Sequence, residues 1–276
     1  MIELPEALTI ATQMEQTLAG KTIESTVRDH SPHKFAFYSG TEDEYREILV
    51  GATLGRAWVH GSCILQAVGD EHVIMLGEGG ERIRFHESEK TVPKKHQLLL
   101  RFTDGTLLSV TISGWGSARA MRQDMVADLN YYDPYKLSPL DDRFDEDHFL
   151  RLFSSLDESY NKPIKFFIIS EPGILGIGNG YLQDILFHAG IHPRRKVADV
   201  SLDEQRALFT AIKATLQKAV SLGGRTTEYD IFGTRGGYAR LMDSKTRGEP
   251  CPSCDTPIEK ISFLGGSCYL CPSCQT

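Results

Sequence analysis

The sequence predicts an α+β chain in three parts: an N-terminal β-sandwich led by a helix, a helical region, and a C-terminal β-hairpin stapled by cysteines. Three observations carry that expectation. Apolar spacing is helical near the start, breaks into short strands as far as Ile112, and becomes helical again beyond Ser138. The chain closes on Cys251-Pro-Ser-Cys254 and Cys271-Pro-Ser-Cys274. With 276 residues and 41% hydrophobic content, it can bury about two domain cores besides a small terminal module.

Leu4, Leu8, Ala11, Met14 and Leu18 make one helical face between Glu3 and Ala19, with Pro5 tolerated in the first turn. Short strands follow at Thr22–Arg28, Thr53–His60, Cys63–Val68, His72–Met75, Arg82–His86, Gln97–Phe102 and Thr106–Ile112, the last entered through the turn Asp104-Gly105. Glu42–Leu49 reads as a short crossing helix. Turn signals at Asp133-Pro134 and Ser138-Pro139 place a boundary near Ser138, giving parts at 1–137, 138–240 and 241–276. Helices are expected at Asp145–Leu156, Ile164–Ser170, Ile177–Ala189 and Leu202–Leu222, the last opened by Ser201-Leu-Asp-Glu204 at capping-box spacing and stopped by Gly223-Gly224. Arg225–Gly248 reads as a flexible, basic connection.

Each Cys-x-x-Cys turn converges two thiolates, and two such turns supply the four soft ligands of a closed tetrahedral Zn²⁺ site with no position open for chemistry. The sixteen residues between the pairs form strand, turn and strand around Lys260-Ile-Ser-Phe263 and Leu264-Gly-Gly266. The alternative is two disulfides or four free thiols; Met1–Glu6 lacks the basic start and apolar core of a secretory signal, which disfavours disulfides. The same feature, with no run of eighteen apolar residues, gives the expectation of a cytoplasmic, nucleoid-associated chain with no membrane span. Cys63 and Cys268 stand apart as buried small side chains.

The net charge of −7 argues against nucleic-acid binding unless the cations gather on one face. Two stretches favour the latter. In Gly173-Ile-Leu-Gly176-Ile-Gly178-Asn179-Gly180-Tyr181, glycines let the backbone come close to a ligand, and Gly178 and Asn179 open a helix whose N–H groups suit a phosphate. A plain tight turn is the other reading. Arg194-Arg195-Lys196 follow the next helix end, where they serve either its C-terminus or a nucleic-acid backbone.

Taken together, Glu3-Leu-Pro-Glu6, Gly176-Ile-Gly-Asn179-Gly-Tyr181 through His192-Pro193, Gly248-Glu-Pro-Cys251, Thr256-Pro-Ile-Glu-Lys260 and the closing Cys-Pro-x-Cys-Gln275 resemble the formamidopyrimidine-DNA glycosylase and endonuclease VIII family, nearly end to end. The resemblance implies a helix-two-turns-helix domain in the middle, one structural zinc on Cys251, Cys254, Cys271 and Cys274, and a monomer gripping double-stranded DNA, damaged or abasic, with Asn179 on a phosphate. It also implies base-excision chemistry, in which an N-terminal proline attacks the deoxyribose and a neighbouring glutamate, here Glu3, assists.

Several positions depart from the family. The proline is Ile2, which leaves Met1 in place and moves the amine by one residue. The strand lysine is Ser62, the methionine that fills the space of a flipped base is Glu78, and the hairpin arginine is Gly266; Trp115 is the one candidate wedge. Glu3 and Glu6 equally suit a helix N-terminus whatever the function. The sequence therefore gives three expectations: a zinc-stabilised DNA-binding member without the proline-dependent glycosylase and lyase reaction; an active enzyme that uses the Met1 amine with Glu3 beside it, or Glu3 alone to activate water; or a protein-interaction scaffold that kept the fold.

Overall fold

The structure, a computed structural model, describes residues 1–77, 79–129 and 132–276. The chain divides into two compact units, one of residues 1–136 and 222–237, the other of 137–221 and 238–276.

In the first unit, helix α1 (Leu4–Leu18) precedes strand β1 (Ile23–Arg28), a two-residue β2 (Ala36–Phe37) and helix α2 (Glu42–Leu49). Strands β3 (Leu54–His60), β4 (Cys63–Val68), β5 (His72–Leu76), β6 (Glu81–His86), β7 (Leu98–Phe102), β8 (Leu107–Ile112) and β9 (Gly116–Arg122) follow. They form a four-stranded sheet in the order β1-β7-β8-β6 and a five-stranded sheet in the order β2-β9-β5-β4-β3. Period-two alternation decides which residues meet between them. Leu98, Leu100 and Phe102 of β7 point into the same core as Ile64 and Ile74, and Ile10, Met14 and Leu18 of α1 share it.

Glu81 ties the two sheets: its Oε2 accepts from the Gly79 N–H at 2.8 Å and its Oε1 from Ser117 at 2.7 Å. The expected helices and strands of this unit are present. Two strands were not expected, β2 and β9; β9 lies between β2 and β5, paired parallel to the first and antiparallel to the second.

The sequence expectation of a flexible connection after Gly224 fails for its first part. Arg225 is 4% exposed and Ile231 fully buried, and the Phe85 N–H at the edge of β6 donates to the Ile231 carbonyl at 2.8 Å. Burial of one isoleucine and a guanidinium holds the segment where glycine content alone suggests freedom.

The second unit carries helices α3 (Glu146–Ser154), α4 (Ile164–Ile169), α5 (Asn179–His188) and α6 (Leu202–Ser221), then a hairpin of β10 (Glu259–Phe263) and β11 (Gly266–Leu270). The box at the start of α6 is made: Ser201 N–H donates to Glu204 Oε2 at 2.8 Å, and Glu204 N–H to Ser201 Oγ at 3.4 Å. Phe149, Phe167, Tyr181, Ile185, Leu208 and Ile212 are its buried apolar centre. The hairpin turns on Leu264 and Gly265 at φ of 49° and 71°, both left-handed as a two-residue type I′ turn requires. No described helix is long and apolar enough to cross a membrane.

Two histidines give the first unit a pH response. His86 bridges Thr91 Oγ1 at 2.9 Å and Ser109 Oγ at 2.8 Å, and burial holds its pKa below the usual value; burial does the same for His60. The unfolded chain takes up these protons near pH 6.5 and the folded one only at lower pH. Stability from this source is therefore complete above about pH 6.5 and lost as the pH falls toward the depressed folded values. Urea midpoints at pH 7.5 and 5.5 check this: the midpoint falls in the parent, and the fall shrinks in His86→Gln. Equal drops in both would remove His86 as a source.

Candidate functional site

Glu3 caps α1 from the residue before it. Its own N–H donates to Glu6 Oε2 at 3.0 Å, so the two carboxylates are set side by side at 3% exposure each. Two buried carboxylates in one place repel unless a cation lies between them. Arg225 supplies it. Its Nη1 donates to Glu3 Oε1 at 3.0 Å, its Nε and Nη2 reach Glu6 at 3.1 Å each, and its Nη2 also donates to the Met1 carbonyl. Gly224 allows the approach: a Cβ there would fall 2.9 Å from the Glu6 side chain, and its φ of 90° suits glycine.

The ammonium of Met1, a residue 53% exposed, donates to Glu228 Oε1 at 3.0 Å, and Arg225 lies 3.9 Å from the same oxygen. Next along the chain, the Ile2 nitrogen is a peptide N–H donating to the Gly79 carbonyl at 3.1 Å, and the Ile2 side chain joins the sandwich core at 4% exposure. An amide nitrogen so held has no lone pair for attack. The cluster sets two cations, Met1 and Arg225, against three carboxylates, Glu3, Glu6 and Glu228.

Elsewhere on the first unit, Trp115 is 47% exposed in the turn before β9, and its carbonyl accepts from the Gly80 N–H at 2.8 Å. Gly77, at φ of 94°, packs so near the Ser62 carbonyl that a Cβ there would fall 2.4 Å from it. Glu78 lies outside the described residues.

In the second unit, Gly178 caps α5 in an extended conformation and Asn179 is the exposed first residue of the helix. The hairpin tip lies beside it: a Cβ on Gly266 would be 3.1 Å from Asn179 Nδ2 and 3.6 Å from Lys165 Nζ. Lys165, fully buried, donates to the Phe263 carbonyl at 2.9 Å and to Cys268 Sγ at 3.4 Å. Gln183 of α5 pairs with the Ser267 carbonyl and the Tyr269 N–H at 3.3 Å each. Arg194 reaches the Ser262 carbonyl at 3.3 Å and lies over the Phe263 ring, so it belongs to the same patch as Asn179 and Gly266.

The other two cations of that run are drawn away from it. Arg195 pairs with Glu204 at 2.7 Å and donates to the Thr276 carbonyl at 3.1 Å, while exposed Lys196 donates to the Asn161 carbonyl at 3.1 Å. Sequence reading missed Arg225, Glu228, Lys165 and Gln183. A buried arginine beside two N-terminal glutamates leaves no local pattern, because the partners are 222 and 219 positions apart.

The four cysteines of the two Cys-x-x-Cys turns bring their sulfurs within 4.8 Å of one another. Pairs stand at 3.3 Å (Cys254–Cys274), 3.4 Å (Cys254–Cys271) and 3.8 Å (Cys251–Cys274). Tetrahedral zinc with Zn–S near 2.3 Å spaces its sulfurs about 3.8 Å apart, so the donor set fits in number, softness and size. Cys63 and Cys268 are buried outside the cluster.

Three family profiles match in chain order: the formamidopyrimidine-DNA glycosylase N-terminal domain over residues 1–111, its H2TH domain over 137–230, and the zinc finger found in that glycosylase and in isoleucyl-tRNA synthetase over 248–276. The chain is 29% identical to the formamidopyrimidine-DNA glycosylase of Halalkalibacterium halodurans over 289 residues, covering all of both chains. It is 28% identical to that of Lactococcus lactis subsp. cremoris over 283 residues, covering 100% of this chain and 99% of the relative. A crystal structure of the Lactococcus lactis protein in complex with Fapy-dG-containing DNA superposes with a TM-score of 0.85 at 25% identity, over 99% of this chain and all of that one. The finger and its four thiolates hold one structural zinc. With sandwich, helical region and finger matched in order over nearly its whole length, the chain belongs to the formamidopyrimidine-DNA glycosylase family.

Proposed function

We propose that this protein binds double-stranded DNA, damaged or abasic, in base-excision repair without performing the family's proline-dependent glycosylase and lyase reaction. The observation that carries the second half is the Arg225–Glu3 pair. A carboxylate at 3% exposure, engaged by a guanidinium at 3.0 Å, is not free to give or take a proton at an opening sugar. The nitrogen at Ile2 is an amide whose N–H donates to the Gly79 carbonyl, which supports the same reading.

DNA as partner is supported by the family and by the relative's complex with Fapy-dG-containing DNA. The contacts assigned to it are Gly178 and Asn179 at the start of α5 with Arg194 beside them, Lys196 away from that patch at the Asn161 carbonyl, and Trp115 as wedge; Arg195, already paired with Glu204, adds only its field. Ser62 and Gly266 supply no cation. Each phosphate contact contributes about 0.9 to the slope of log affinity against log salt, so Ser62→Lys with Gly266→Arg is expected to steepen duplex binding by about 1.8. An unchanged slope would remove both positions from the DNA surface.

A second reading keeps the enzyme active through the Met1 amine, and the exposure of residue Met1 favours it. Borohydride trapping on an abasic-site duplex separates the two. The first reading expects no covalent adduct at protein concentrations that saturate binding. An adduct that disappears when Met1 is acetylated establishes the second.

A further inference from the structure

A second patch on the first unit has chemistry that the cluster at Glu3 does not use. Beside the edge of β6, Tyr229 bridges Arg235 across a tight turn. Asp230 builds that turn: its Oδ1 accepts from the N–H groups of Phe232 at 3.0 Å and Thr234 at 2.7 Å, and its Oδ2 from Gln13 Nε2 at 2.9 Å. The tip is thereby fixed, and it presents Phe232 at 51% exposure, edge-on to Phe85 with ring centres 6.1 Å apart.

Three arginines gather there. Arg82 and Arg235 lie over the Tyr229 ring at 4.3 and 4.8 Å. The Arg84 guanidinium packs against Gly233, where a Cβ would fall 2.5 Å from Nη2; its Nε is buried with no partner among the described residues. None of the three forms an ion pair among the described residues. Like charges held together are costly unless an anion completes them. Arg235 donates to the Thr226 carbonyl and the Tyr229 hydroxyl, and Arg84 to the Phe232 carbonyl, but covering the edge of β6 with Ile231 and Phe85 requires neither three guanidiniums without an acidic partner among the described residues, in a chain of net charge −7, nor a rigidly held exposed phenylalanine.

We propose that this patch is a platform for single-stranded DNA, with a base stacked on Phe232 and phosphates on Arg82, Arg84 and Arg235. Aromatic faces interleaved with cations suit a strand whose bases are unstacked, whereas a duplex hides the base faces and gains nothing from Phe232. The inference rests on the reading of the chain as a DNA-binding protein, but the platform is distinct from the contacts at Asn179.

Fluorescence anisotropy of the full-length, zinc-loaded protein with labelled oligothymidylate and with an abasic-site duplex tests it. Phe232→Ala is expected to weaken oligothymidylate binding about tenfold and Phe232→Trp to preserve it, with duplex affinity unchanged in both. Arg82→Ala with Arg235→Ala is expected to lower the salt slope on the single strand by about 1.4, at about 0.7 per contact. The parent failing to bind oligothymidylate, or binding it as tightly after Phe232→Ala, would overturn the platform. Loss of duplex binding in the parent with single-strand binding intact would overturn the proposed duplex contacts and leave the platform standing.

Discussion

Replacing Arg225 with methionine is expected to lower the folding free energy by about 3–5 kcal/mol, the cost of leaving buried charge without its partner. The size follows from what stays behind. Glu3 and Glu6 remain side by side at 3% exposure with no guanidinium between them, and the Met1 carbonyl loses a donor. Surface pairs such as Arg122–Asp124 are screened by solvent and contribute little, so Arg122→Met serves as the contrast. A second substitution separates charge from packing: Arg225→Met with Glu3→Gln and Glu6→Gln should regain most of the loss, since neutral amides at those sites need no counter-ion. Urea denaturation measures all three. A loss below about 1 kcal/mol in Arg225→Met, or no recovery in the triple variant, would mean that methylene packing and not charge holds the cluster.

Zinc removal has the largest expected effect, because structural zinc contributes on the order of 10–16 kcal/mol to the folding of small finger modules. Between the two Cys-x-x-Cys turns, the hairpin buries three side chains outside the ligand set, Ile258, Cys268 and Leu270, too few to hold its shape by burial. Its loss reaches further into the second unit. Lys165 is fully buried and takes both its acceptors, the Phe263 carbonyl and Cys268 Sγ, from the hairpin; Gln183 loses its partners at Ser267 and Tyr269. Cys254→Ser, or a strong chelator, is therefore expected to abolish amide protection over residues 248–276 and to loosen α4 and α5, while amides of β4 and β5 keep theirs. Hydrogen exchange followed by mass spectrometry resolves the two regions. Full protection of the hairpin in metal-free protein would exclude zinc as its staple.

What could be read in the sequence was whatever is written locally. α1, the capping box at Ser201 and Glu204, and the paired Cys-x-x-Cys turns each need only neighbours a few positions away. β9 was missed because Gly116-Ser-Ala-Arg-Ala-Met-Arg122 contains no β-branched residue; it is a strand because β5 and β2 lie on either side of it. Arg225 reads as part of a loose connection for a related reason. Basic and glycine-bearing composition describes an exposed linker equally well, and only the position of Glu3 and Glu6, more than two hundred residues earlier, makes the arginine a buried counter-ion.

The stretch after α6 has a practical bearing on how this protein can be taken apart. Residues 222–237 bring Arg225 to Glu3 and Ile231 to the rim of β6, so a fragment ending at 136 would carry two stranded buried acids and a raw strand margin open to pairing with other copies. Excision by cutting at the visible boundary should yield insoluble material, and coexpressing the missing sixteen-residue peptide, or splicing it on through a short linker, should rescue it. In genetic terms the sandwich is not a portable cassette: recombination that swaps it between relatives must carry both stretches or neither.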